Sequence, residues 1–507
     1  MEGRKVVLTA DRSLFSDFRE NFFFGFISVA PTNAIPRSFQ HRFFCPPPTS
    51  NVDGTAKYAL LALRCLESTF IENGVPENDI AVAHPNNIYK FIGERTEFVC
   101  VSSHDPLGIG PATSTWSSLF RGIPFNRVEF EKLLLNDISR LKKKYNFKLA
   151  VGGPGSWQLM HEDLLNKFKI DFLGIGESEV LIPEILNYPK DRIITGPLPS
   201  INKISPIKNP TAGGLIEITR GCGLGCTFCS PTLRGALRSL PLTKILTDVR
   251  VNVQTGRNGT VNMQSENSLN YGSSTLLPDE DTIMELYSSI FEIKGVKRVY
   301  MTHNCLAPIA YMPQFIERLS KFLRQHGQLF NTCQPGIETG SPRLIKEFMP
   351  NKSHPYEPEE WPNVVRKAFK VLYDNRWFCA ATLMVGLPGE TKEDVLQTIE
   401  LIKSIDKYNT FVVVPLFFNP IEPTKVGDQN GFTANRITEE NWKLIVLCWK
   451  HNLRIGRNLY SMSNSEHHSF ITKIIMNLGI QIAKLGFPIF FYNFHRKLAH
   501  IWKTTRE

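Results

Sequence analysis

Three cysteines, Cys222, Cys226 and Cys229, stand in the run Arg-Gly-Cys-Gly-Leu-Gly-Cys-Thr-Phe-Cys, directly after the short apolar stretch Leu215–Thr219. Three thiols within eight residues, separated by three and then two others, are too close to be unrelated buried cysteines. Such a set caps three irons of a 4Fe–4S cube and leaves the fourth iron without a protein ligand. That open iron can bind a small molecule, so the spacing points to chemistry more than to electron storage. A zinc site would want four ligands in two pairs. The nearest other cysteines, Cys100 and Cys305, are far along the chain, and there is no second C-x-x-C. A disulfide framework belongs to small secreted chains, whereas this one carries ten cysteines in 507 residues and no expected signal peptide. The cluster is the preferred reading over zinc, a disulfide or inert thiols.

Length allows two or three domains with ample core. Hydrophobic residues make up 42% and charged residues 21% of the chain, an ordinary globular balance. The net charge of +10 is compatible with nucleic acid, with anionic lipid or with neither. No dense Lys/Arg run with interleaved aromatics occurs, so nucleic acid is not expected as a partner. No uninterrupted apolar stretch is long enough for an ordinary transmembrane helix. Cluster chemistry and free cysteines argue for a reducing cytoplasm.

Residues 1–54 are rich in Phe and Pro, with Phe22-Phe23-Phe24 and Cys45-Pro46-Pro47-Pro48, and are expected to stand apart. Residues 55–196 alternate helix and strand. A helix is expected over Ala59–Asn73 and another over Val128–Tyr145, with strands at Ile80–Ala83, Phe98–Ser102, Lys148–Val151 and Phe172–Ile175. That alternation, with glycines after the strand ends, predicts a doubly wound, Rossmann-like α/β domain. A Pro-, Ile- and Asn-rich linker spans 197–212. From 213 to 425 the alternation restarts, with strands at Leu215–Thr219, Thr260–Gln264, Lys297–Thr302, Thr332–Glu338, Cys379–Val385 and Phe411–Leu416. Six βα units fit a partial (β/α)6 TIM-type barrel with chemistry in the loops after the strands. Residues 426–507 read as a helical tail. Its segment 471–494 has only Lys473 and Lys484 as charges, followed by Arg496, Lys497, Lys503 and Arg506. The tail can pack on the barrel or lie in a membrane interface with its basic residues at anionic headgroups. Gly486 and Pro488 are expected to interrupt it.

The triad after the first of six barrel strands resembles the radical S-adenosylmethionine (SAM) superfamily. Gly336-Ile337-Glu338-Thr339-Gly340-Ser341 resembles that superfamily's signature after the fourth strand, with Thr339 in place of serine. Gly386-Leu387-Pro388-Gly389-Glu390-Thr391 resembles its turn after the fifth, and Glu266 falls where relatives place an acid after the second. The resemblance implies an enzyme whose open iron chelates the amino and carboxylate groups of SAM. One-electron reduction then yields a 5′-deoxyadenosyl radical that takes hydrogen from an unactivated carbon, with a flavodoxin- or ferredoxin-type electron donor. It implies cofactor contacts from Phe228, Glu266, Glu338 and Gly386. A non-catalytic cluster protein, an electron carrier or sensor, is the alternative from another class.

The unit before the barrel is similar to the cobalamin-binding-type domain of one large branch. The likeness rests on Ser102-Ser103-His104, Ser114, Gly152-Gly153-Pro154 and Gly176-Glu177-Ser178-Glu179, and it implies cobalamin contacts from Ser102, His104, Ser114, Gly152 and Gly153. The Asp-x-His-x-x-Gly pattern of many such domains is broken here: the aspartate is absent before His104 and the glycine is displaced by one, to Gly108. Asp105-Pro106-Leu107-Gly108-Ile109-Gly110-Pro111 and Ser230-Pro231-Thr232 resemble a subgroup of archaeal tetraether lipid ring synthases. That likeness implies carbon–carbon bond formation in a membrane lipid; the tail separately leads us to expect a cytoplasmic protein peripheral on the inner face of the membrane. Cobalamin-dependent methylation of a small molecule or peptide is the other enzymatic expectation. Cys305 and Cys333 are expected near the barrel cavity as quencher, hydrogen donor, extra ligand or core.

Overall fold

Short runs of consecutive apolar residues build the first sheet. Val6–Ala10 (β1), Ile80–Val82 (β2), Phe98–Ser102 (β3), Lys148–Gly152 (β4), Phe172–Ile175 (β5) and Ile193–Thr195 (β6) are all parallel, in the order β2-β1-β3-β4-β5-β6. Successive side chains along a strand point to opposite faces. Val7, Val99, Val101, Leu149, Val151 and Leu173 share one buried core, while Val6, Leu8, Phe98, Cys100, Ala150 and Phe172 share the other. Cover on both faces is why these strands read as unbroken apolar runs. The strand order reverses between β1 and β3, whose carboxyl ends therefore flank the crevice where doubly wound sheets take ligands.

The computed structural model describes residues 2–20, 23–229, 235–254, 259–422, 424–427, 429–465 and 470–504. Contacts divide them into one unit of Met1–Glu217 with Leu240–Val261 and another of Ile218–Ser239 with Asn262–Glu507. In the first unit β1 lies inside 1–54, the segment set apart on composition. That segment supplies an interior strand, and its Phe15, Phe24 and Phe44 are buried. The helix expected over Val128–Tyr145 runs from Phe125 to Lys142, with a π-type turn across Leu133–Ile138. Phe22, Ser230-Pro231-Thr232 and Arg506 lie outside the described residues.

Each of the six strands expected after residue 213 is present. The first is split into Leu215–Glu217 (β7) and Thr219–Arg220 (β8), and β8 pairs antiparallel with Arg238–Ser239 (β9) across the cysteine loop. Thr260–Gln264 (β10) and Arg298–Met301 (β11) join β7 in a sheet ordered β11-β10-β7. His303–Asn304 (β12), Asn331–Glu338 (β13), Trp377–Val385 (β14) and Phe411–Phe417 (β15) form a parallel sheet in that order. Helices Pro342–Phe348 (α1) and Lys392–Ile405 (α2) follow β13 and β14. This is the TIM-type arrangement, with the triad in the loop after the first strand.

The last strand needs a cover, because an unpaired edge is a template for aggregation. Helix Glu439–Ser465 (α3) supplies one. Asn452 accepts the Val413 N–H at 2.8 Å and donates to the Val413 carbonyl at 2.6 Å, standing in for a neighbouring strand. One residue back, the buried His451 bridges the Phe411 carbonyl at 2.9 Å and Asp406 at 2.8 Å. Asn452→Leu should strand both Val413 groups, costing about 2–4 kcal/mol. Denaturant unfolding measures this, and a loss under about 1 kcal/mol would show that Asn452 is not the edge's partner.

The tail helix, Phe470–Thr504 (α4), is continuous through Gly486 and Pro488, which were expected to interrupt it. Trp442 of α3 packs against Phe491 and Phe494 just beyond the proline, with ring centroids 5.6 and 5.1 Å away. Such packing outweighs the single backbone bond that a proline removes. Among the described residues no helix is long and apolar enough to cross a membrane.

Candidate functional site

Glycine sets the shape of the cysteine loop. Gly221, Gly223 and Gly225 all adopt left-handed backbone, with φ of 74°, 73° and 70°. A Cβ on Gly221 would lie 2.5 Å from the Ala236 carbonyl oxygen. These turns fold the chain around Cys222 and Cys226, which are buried, and Cys229, which is half-buried. The loop is tied down where the Thr227 N–H donates to the Phe348 carbonyl at 2.9 Å, at the end of α1.

The three thiols share one electrostatic neighbourhood. A hydrogen bond between the Cys229 and Cys226 sulfurs lowers the Cys226 thiol to about 7 against the pull of burial, helped by the Lys352 ammonium. The same bond, with burial, holds Cys229 well above its ordinary value. Burial pushes Cys222 up to about 11, with Cys226 and Glu266 adding to the rise. Binding a metal here would therefore release protons from these thiols. Among the described residues no three His, Cys, Asp or Glu side chains converge to hold a single metal ion. Three thiolates that each bind a separate iron have no need to, so the donor set fits a 4Fe–4S cluster.

Glu338, one of the expected contacts, ends β13 at φ 60°, a strained conformation for a residue with a side chain. The register to β14 shifts between Gly336 and Glu338, a bulge that re-aims the carboxylate. Glu338 Oε1 accepts from Lys352 Nζ at 3.3 Å and from Thr382 Oγ1 at 3.2 Å. Lys352 is 6% exposed. Burial disfavours its charge, but Glu338 and then the Cys226 and Cys305 sulfurs outweigh this and raise it above the usual lysine range. The Cys305 thiol donates to the Lys352 carbonyl at 3.3 Å, so Cys305 borders the same site. Cys333 does not: it is buried against Cys379 on β14, sulfur to sulfur at 3.3 Å. A Cβ at Gly336 would fall 1.9 Å from Glu338 Oε1 and 2.7 Å from Lys352 Nζ, so the pair lies over a bare glycine. Sequence spacing missed Lys352, because its partners come from other strands and loops. Glu266 and Phe228 are half-buried, Glu266 within electrostatic reach of Cys222.

Two motifs have structural duties that account for much of their pattern. In Gly336–Ser341, Ser341 caps α1 and donates to Asp394 at 2.5 Å, and Gly340 has no room for a Cβ against α2. In Gly386–Thr391, the Gly386 N–H donates to Glu390 Oε2 at 2.8 Å, and Thr391 forms a capping box with Asp394 at the start of α2. A Cβ on Gly386 would overlap the Phe432 ring at 2.0 Å. Burial pushes the Glu390 carboxyl up to about 7. Glu390 also accepts from Asn441 Nδ2 at 3.1 Å, beside a cavity of about 310 Å³.

In the first unit, Ser102, Gly152 and Gly153 stand at the carboxyl ends of β3 and β4. The Ser103 N–H and hydroxyl both donate to the Gly152 carbonyl, at 2.8 and 2.9 Å, clamping the two loops together. Gly153 is left-handed at φ 95°, and a Cβ there would meet the Ser103 carbonyl at 2.5 Å. Gly152 and Gly176 are different, since a Cβ on either meets nothing closer than 3.8 Å. Packing within the chain therefore does not require glycine at either position. His104 is exposed, and Ser114 turns its hydroxyl to the Pro111 carbonyl of its own helix at 3.1 Å. Asp105 Oδ1 closes the Asp105–Pro111 loop by accepting from Ile109, Gly110 and Gln158 at 2.8–3.0 Å. That run thus has a structural explanation of its own.

Comparison with known proteins agrees with this geometry. Residues 216–402 match the model of the radical SAM superfamily. The tRNA-2-methylthio-N(6)-dimethylallyladenosine synthase of Colwellia psychrerythraea is 27% identical over 339 residues, 65% of this chain and 66% of that protein. The Fusobacterium nucleatum enzyme of the same name is 26% identical over 288 residues, 55% and 62% of the two chains. The chain thus spans about two thirds or less of the length of these two relatives. Both are named for tRNA, a class of partner that the composition argued against. The radical SAM methyltransferase TsrM of Kitasatospora setae, solved with tryptophan and aza-SAM, superposes with a TM-score of 0.56 at 14% identity, covering 83% of this chain and 75% of its own. Its structure with cobalamin and a [4Fe-4S] cluster gives 0.55 at 14% identity, covering 84% and 74%. Residues 216–402 of this chain thus form a domain of the radical SAM superfamily.

Proposed function

We propose that the chain is a radical SAM enzyme that binds a 4Fe–4S cluster through Cys222, Cys226 and Cys229, SAM at the open iron, and cobalamin at the carboxyl edge of its N-terminal sheet, and that it methylates an unactivated carbon. One observation carries this reading: a single chain holds both the glycine-shaped thiol loop, with the Lys352–Glu338 pair beside it, and a doubly wound sheet with Gly152 and Gly176 at its strand ends, where the chain's own packing does not require glycine. The fold likeness to a methyltransferase solved with both cofactors supports it. Cluster and SAM supply reductive cleavage of a sulfur–carbon bond, and with it a hydrogen-abstracting radical. The chain's residues bind and orient. The three cysteines hold the cluster, and Lys352 places a buried positive charge against their sulfurs. Glu338 and Glu266 offer carboxylates to a cationic amino group or a ribose, and Phe228 an apolar surface to adenine. The barrel core keeps water from a reactive centre.

Anaerobic reconstitution with iron, sulfide and hydroxocobalamin, followed by dithionite and SAM, tests each part. Stoichiometric cobalamin after desalting and release of 5′-deoxyadenosine are the expected results. S-adenosylhomocysteine formed with substrate marks methyl transfer; 5′-deoxyadenosine alone marks ring closure, the other enzymatic expectation from the sequence. Protein that retains no cobalamin refutes that half of the proposal, and protein that releases no 5′-deoxyadenosine refutes the other.

A further inference from the structure

The tail helix α4 carries an apolar stripe that no part of the described chain covers. Ile474, Leu478, Ile482, Leu485, Ile489 and Tyr492 are 41–74% exposed. Their spacings are four, four, three, four and three residues, so at 100° per residue they fall within an arc of about 80°. The opposite side of the helix is the packed one. There Phe491 and Phe494 meet Trp442, and Leu498 is 1% exposed. The helix is therefore anchored by one face and presents the other. Isolated exposed apolar residues are ordinary, but a contiguous row six long marks an interaction surface.

Charge decides what covers it. Residues 470–504 contain four lysines and one arginine and no aspartate or glutamate. Arg496 continues the stripe one turn beyond Tyr492, over whose ring it sits at 6.0 Å, and it is exposed. Lys484 is half-buried at the flank. A second copy of this helix would set lysines and arginine against lysines and arginine, since neither helix contributes an acidic residue, whereas paired helices ordinarily place opposite charges beside the seam. A lipid surface with anionic headgroups meets both halves of the pattern. Acyl chains take the aliphatic row, and phosphates take the lysines and arginine that flank it. We propose that α4 lies along an anionic lipid bilayer, its Ile474–Tyr492 stripe sunk below the headgroups and Arg496 at their level. The helix rides on the surface without crossing, since among the described residues no helix is long and apolar enough to cross a membrane. This assignment is independent of what the barrel does.

Flotation of the full-length protein tests it, using vesicles of equal parts phosphatidylcholine and phosphatidylglycerol against vesicles of phosphatidylcholine alone. Wild type should float with the anionic vesicles and much less with the neutral ones. The double variant Leu485→Glu/Ile489→Glu should lose roughly tenfold or more in partition, and Arg496→Glu about fivefold. Both glutamates replace exposed side chains, so far-UV circular dichroism and cluster content should match wild type and rule out misfolding. Equal flotation with neutral vesicles overturns the anionic assignment. A wild-type dimer in light scattering that the double variant disperses, with no flotation, assigns the stripe to a second copy. Wild type that neither floats nor dimerises also overturns the proposal.

Discussion

Cys226→Ala is expected to abolish the brown visible absorbance of the reconstituted protein and to cut 5′-deoxyadenosine release by roughly 100-fold or more, about 2.7 kcal/mol in barrier terms. The size of the effect follows from ligand count. A cube held by three thiolates that loses one keeps two protein ligands, too few to hold it against chelators or air. Cys226 is the most telling of the three, because its sulfur takes the hydrogen bond from Cys229 and lies nearest in charge to Lys352. The fold should survive, since the loop's turns are made by Gly221, Gly223 and Gly225 and its tether is a backbone bond at Thr227. Cys448→Ala is the matching control: that thiol is fully buried in α3, so its loss should lower stability and leave iron content unchanged. Iron and sulfide analysis with absorbance spectra reads both variants. A Cys226→Ala protein with wild-type absorbance and turnover would overturn the cluster assignment.

What the sequence disclosed was set by how local the cause is. Phe98–Ser102 and Phe172–Ile175 are strands over the residues expected, because both are apolar runs bounded by turn-formers and buried on both faces. Val6–Ala10 is as apolar, yet the Phe- and Pro-rich surroundings masked it, and only pairing with β2 and β3 reveals it. The two-residue strands β8 and β9 depend wholly on each other across the cysteine loop. Glycine motifs were legible as landmarks and less so as functions. Gly386 is required by a left-handed φ and by the Phe432 ring, which comes from a distant stretch of chain. The continuity of α4 through Pro488 was hidden for the same reason, because Trp442 holds it from another helix. The triad announced itself through spacing alone. The charge that faces it did not.

That charge is Lys352, and Lys352→Met is expected to destabilise the protein by about 3–5 kcal/mol, because it leaves the Glu338 carboxylate buried without its cation. Thr382 would remain as a single hydrogen bond to a 9%-exposed carboxylate, in a conformation already strained at φ 60°. The companion variant Glu338→Gln/Lys352→Met removes both charges and should recover at least half of the loss, as neutral replacement of buried pairs often does. Stability alone would not separate packing from function. The second readout is the cluster's reduction potential, followed by electron paramagnetic resonance during a dithionite titration. A buried ammonium beside three thiolates favours the more negative, reduced state, so its removal should move the potential downward in Lys352→Met, and by less in the double variant, where the opposing Glu338 charge is lost as well. Recovered stability with the potential still lowered is the outcome expected of a residue that tunes the site as well as filling it. An unchanged potential in Lys352→Met would reduce Lys352 to the counter-ion of Glu338, and an unchanged stability in Lys352→Met would remove even that role.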